Sequence, residues 1–161
     1  MRSNETTLRK REIRGLVEVY RRLKRERVVE ALVDPLAERS LSSRISTSLR
    51  HVALGDELVT GFIEYKTDGR LPSRDEIEFL IDLLNHPRFD VVFPPIIPKL
   101  RYENYIDFLD AFLEISKSSN YRPISCAVIP HFSRMHISKL VEYYMKKDIL
   151  LFPLKSKRPS E

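Results

Sequence analysis

The sequence predicts an α/β protein, with a basic N-terminal helical module followed by a small three-stranded parallel β/α unit. Three observations carry that reading. Residues 73–154 alternate helical and strand patterns in the order αβαβαβ, which argues for parallel strands joined by helical crossovers. The strands in that stretch are continuous apolar runs, as expected where both faces are covered. Residues 1–50 hold 13 Lys and Arg against 7 Asp and Glu, whereas residues 51–161 hold 15 against 16. The excess positive charge therefore belongs to the N-terminal part.

The N-terminal module is expected over residues 1–66. From Leu8 to about Leu32, Ile13, Leu16, Val17, Tyr20 and Leu23 recur at spacings of three and four, one apolar stripe of a helix. Its other face carries Arg14, Arg21, Arg22, Lys24 and Arg25. Pro35 ends or bends this helix near Asp34. A second helical stretch, about Leu41 to Leu54, carries Arg44 and Arg50. Residues 57–65 place Leu58, Val59, Phe62 and Ile63 on one side of a third helix, with a strand as the alternative because these are β-formers.

Residues 67–72 form a linker of turn chemistry, Thr67-Asp68-Gly69-Arg70-Leu71-Pro72. Ser73 and Glu76 then make a capping box, opening a helix that buries Ile77, Leu80, Ile81 and Leu84 and stops near Asn85 before Pro87. Residues 89–93, 124–129 and 149–152 are the three strands, each closed by proline. Helices fill the intervals, from Tyr102 to about Ser116 and from the cap Ser133 onward. Residues 155–161 are a basic tail. Three strands make a small sheet. Either the N-terminal helices cover its second face, or the chain is a fragment of a larger β/α assembly or pairs with a second copy through an open sheet edge.

Composition excludes several classes. The chain of 161 residues is 42% hydrophobic and 32% charged, ample for a core. No apolar run approaches the ~20 residues of a membrane span. Cys126 is alone, so there is neither an internal disulfide nor a cysteine zinc site. The N-terminus has no apolar signal segment, which points to the cytoplasm. Only four glycines occur, none after Gly69, and neither Gly-x-Gly-x-x-Gly nor a P-loop is present. No cofactor and no metal site is expected.

Two functional readings follow. The first is nucleic-acid binding, RNA or DNA, through phosphate contacts by Arg14, Arg21, Arg22, Lys24, Arg25, Arg44 and Arg50, with little sequence preference. The second is an enzyme or ligand-binding domain with an anionic substrate at the strand carboxyl ends. There Lys99, Arg101, Ser133 and Arg134 form a cationic rim, and His131 is the one candidate acid or base. A structural subunit of a larger assembly is a third reading. Glu103, Asp107, Asp110 and Glu114 share one helix face and read as its solvated side.

Overall fold

The computed structural model describes residues 16–52, 55, 57–118, 124–127, 130, 132–147 and 149–151. Ten elements follow in chain order: β1 (Leu16–Lys24), α1 (Arg25–Val33), α2 (Pro35–Val52), β2 (Leu58–Lys66), α3 (Arg74–Leu84), β3 (Val91–Val92), α4 (Tyr102–Ser118), β4 (Ile124–Ala127), α5 (Arg134–Lys146) and β5 (Leu150–Leu151). The five strands form one parallel sheet in the order β1-β2-β3-β4-β5. The α/β class and the parallel alternation expected from the sequence are both present.

The N-terminal module is not helical throughout. Residues 16–24, expected within one long helix, are the edge strand β1, and of the two readings of residues 57–65 the strand holds, as β2 over Leu58–Lys66. The two pair in parallel over nine residues, from Leu16 with Leu58 to Lys24 with Lys66. A register of that length fixes both as strands. The stretch 67–72 is the βα connection from β2 to α3.

Alternation along the strands sorts the side chains onto two faces. Val17, Val19, Leu23, Val59, Ile63, Tyr65 and Val92 join one core, to which every helix contributes, from Val28 of α1 to Leu140 and Tyr144 of α5. All five helices thus lie on the same face, as sequential crossovers of one hand require. Among the described residues, the N-terminal helices α1 and α2 pack on the core face and not on the second one. That face carries Phe62, Val91, Phe93 and Ile96 as a separate apolar cluster. Tyr20 stacks on Phe62 there at 5.4 Å, and its hydroxyl donates to Glu64, which also pairs with Arg22 at 3.7 Å.

Pro35 starts a helix as well as ending one. Asp34 caps α2 by accepting from the Leu36 N–H at 3.1 Å, and Pro35 occupies the first helical position, where its missing N–H costs nothing. α3 opens on the expected cap: Ser73 Oγ accepts from the Glu76 N–H at 3.2 Å. β3 is short because Pro94 and Pro95 cannot donate. Pairing with β2 resumes at Ile96, whose N–H donates to Ile63 O at 3.0 Å. The offset between paired residues grows by one between Val91–Thr60 and Ile96–Glu64, so one extra residue bulges at the prolines.

Candidate anion-binding site

Ligand sites of parallel sheets gather where the strands end at their carboxyl termini. At the ends of β1 and β2, Lys24 and Lys66 are direct cross-strand partners. Like charges placed opposite one another repel. Arg25 and Arg27 follow on the first turn of α1, and Arg70 comes from the turn after β2. Together these five basic side chains, with the acidic Glu26 and Asp68, line a cleft of about 780 Å³. The first turn of α1 lines it too, and Lys24 at the N-cap position gives it no side-chain acceptor. Uncapped N–H groups and the positive end of the helix dipole add to the cationic character.

The frame around the cleft is stiff. Thr67 is buried and its hydroxyl donates to Arg70 O at 2.7 Å, while the Arg70 N–H returns to Thr67 O at 3.3 Å. Between them Asp68 and Gly69 adopt positive φ, 57° and 86°. Gly69 suits that conformation, which an L side chain rarely adopts. Beneath the cleft the buried Glu76 carboxylate accepts from the Tyr65 hydroxyl at 2.7 Å and pairs with Arg25 at 3.4 Å. Burial, and then the Glu76 carboxylate, push the Tyr65 phenol upward, so it stays a proton donor to Glu76. Among the described residues, no His or Cys lines the cleft. The arrangement is suited to holding an anion.

The sequence-predicted residues divide. Lys24 and Arg25 line the cleft. Arg21 and Arg22, expected on one helix face, point to opposite faces of the sheet because neighbours in a strand alternate. Arg21 is buried on the core side, and Arg22 pairs with Glu64 on the other. Arg44 and Arg50 are exposed on α2, where Arg50 donates to Thr47 Oγ1 at 3.4 Å. The continuous basic helix is therefore absent from residues 16–24. Arg14 and His131 lie outside the described residues.

On the other rim, Lys99 pairs with Asp68 at 3.8 Å and so reaches the edge of the cleft. Arg101, Ser133 and Arg134 do not line it. Ser133 caps α5, accepting from the His136 N–H at 3.3 Å, and His136 stacks on Tyr102 at 4.4 Å. Asp110 accepts from the Tyr143 hydroxyl at 2.7 Å. No group of three or more potential metal ligands occurs among the described residues. No described helix is long and apolar enough to cross a membrane.

No family model, curated protein or solved structure matches this chain. Lys66 and Arg70 escape a sequence reading that prefers helices over residues 16–24 and 57–65. As strand ends, those segments bring Lys24 and Lys66 side by side.

Proposed function

We propose that this chain binds a phosphate- or carboxylate-bearing small molecule at the carboxyl ends of β1 and β2. The observation that carries the reading is the Lys24–Lys66 cross-strand pair at the mouth of a cleft that also holds Arg25, Arg27 and Arg70. An anion there sits among the five basic side chains that line the cleft, and the first turn of α1 offers it N–H donors. A cleft favours a compact ligand over the flat, extended contact a nucleic-acid backbone makes. Nucleic acid remains the second reading, supported by the same cations.

The test follows backbone amide shifts by NMR while inorganic phosphate, pyrophosphate and a nucleoside monophosphate are titrated in. Shifts centred on Lys24–Arg27 and Lys66–Arg70 are expected, with binding about tenfold weaker in the Lys24→Ala/Lys66→Ala double variant. Structured RNA is run alongside at 50 and 200 mM salt. Tight RNA binding that falls roughly 10³-fold or more across that range, with no response to the small anions, transfers the site to nucleic acid. No response to any of them at millimolar concentration rejects the site.

A further inference from the structure

A second cavity, sharing no lining residue with the cleft, lies between α2, the end of α3 and the core face of β1 and β2. Its volume is about 250 Å³ and Arg21 lines it. Arg21 is 6% exposed, and its Nε and Nη2 are buried without a hydrogen-bond partner. Nη1 makes one long contact, 3.5 Å to Leu41 O. An unpaired buried charge costs several kcal/mol. Proton loss does not remove that cost at neutral pH. Burial, and then the nearby Arg44 and Arg27, lower the Arg21 pKa only to about 10.

The rest of the lining indicates what would pair with it. Among the described residues, no acidic side chain lines the cavity, and Arg44 adds a second positive charge at its wall. Val19, Ile45 and Leu84 are among the apolar walls. We infer that this cavity is a binding site for a small organic carboxylate, its head group on the Arg21 guanidinium and its hydrocarbon end against Val19, Ile45 and Leu84. The guanidinium fork matches a carboxylate in two parallel hydrogen bonds. A singly charged head with an apolar body suits these walls better than a doubly charged phosphate, which costs more to desolvate. The volume lies just below that of ordinary drug-sized sites, so the ligand is small.

Calorimetric titration with hexanoate, hexanol and inorganic phosphate tests this on the wild-type chain and on Arg21→Met. Hexanoate is expected to bind at least tenfold more tightly than hexanol to the wild type. In Arg21→Met that advantage disappears while hexanol binding persists, which also shows the variant is folded. Ser48→Phe, filling the cavity from α2, is expected to abolish binding of both. Hexanoate binding no tighter than hexanol, hexanoate binding unchanged in Arg21→Met, or phosphate binding without hexanoate would each overturn the inference, as would no binding at all. The Lys24→Ala/Lys66→Ala variant should bind hexanoate as the wild type does, so failure at one site is distinguishable from failure at the other.

Discussion

Among the described residues, Glu76 and Arg21 are the two charged side chains buried on the core side of this sheet, 3% and 6% exposed, and their surroundings differ in kind. Glu76 accepts from the Tyr65 hydroxyl, pairs with Arg25 and contacts the Ser73 hydroxyl at 3.2 Å. Arg21 has one long contact and two buried nitrogens with none. Burying a charge is tolerated when its partners are built in, as for Glu76. Where they are missing, the charge is a standing cost that a ligand would relieve. The first arrangement ties β2, α1 and α3 together. The second leaves a cavity beside the charge.

The strongest way to sharpen this contrast is to remove the satisfied group. Glu76→Ala strands the Tyr65 hydroxyl and takes the anionic partner from Arg25. We expect a loss of about 3 kcal/mol, read as a lower urea midpoint. A change under about 1 kcal/mol would mean that Glu76 is no more integrated than Arg21. Tyr65→Phe removes one hydrogen bond to a charged acceptor and keeps the ring. It should cost about 2 kcal/mol in the same measurement. Because Arg25 leans on Glu76 next to the cleft, both variants should also weaken phosphate binding there.

Arg21→Met carries the opposite sign. With no ligand present, an apolar side chain of similar length removes an unpaired charge from the core. The variant should be more stable than the wild type by about 1 kcal/mol. Destabilisation of that size would show that the guanidinium has a structural partner, and the contrast with Glu76 would collapse. Hexanoate at saturation should reverse the order, stabilising the wild type through linkage and Arg21→Met hardly at all.

These two residues also mark where the sequence was legible. Ser73 and Glu76 announce a helix start by type and spacing alone, and the apolar positions 77, 80, 81 and 84 repeat at helical period through α3. Local rules and tertiary packing agree there. In β1 they conflict. Val17, Val19 and Leu23 alternate as a strand should, but Arg21 sits in the inward register, where an apolar residue is expected. The break hides the period of two, and the helical spacing of Leu16, Val17, Tyr20 and Leu23 wins by default. The residue that obscures the strand also lines the cavity. β2 was obscured differently, by Gly61 on the core face. An added Cβ there would come within 2.8 Å of the Phe89 ring, so close packing, not pattern, fixes that position. The cationic cleft followed those two strands out of view, since Lys24 and Lys66 are neighbours only once the parallel register is known.

The smallest expected effect concerns His86, a titratable group near the cavity that falls between the two extremes. It is half-buried, its Nδ1 accepts from the Arg88 N–H at 3.0 Å, and its Nε2 lies 3.2 Å from the Ser46 hydroxyl of α2. An accepting Nδ1 requires the neutral ring, with Nε2 carrying the proton and donating to Ser46. Burial lowers the His86 pKa below its ordinary value near 6.5. The unfolded chain therefore takes up a proton before the folded chain does. The contribution of His86 to stability is complete above about pH 6.5 and declines as the pH falls below it, toward the lowered folded value. Protonation also turns Nδ1 into a donor facing the Arg88 N–H, which opposes that contact. Urea midpoints between pH 7.5 and 5.5 should fall in the wild type, and the fall should be shallower in His86→Gln, which cannot titrate. Because Ser46 is on the helix that walls the cavity, hexanoate affinity should weaken over the same interval if the α2 position depends on this bond. An equal decline in both proteins would place the acid sensitivity elsewhere and leave His86 as a packing residue against Phe89, with which it makes an edge contact at 6.1 Å.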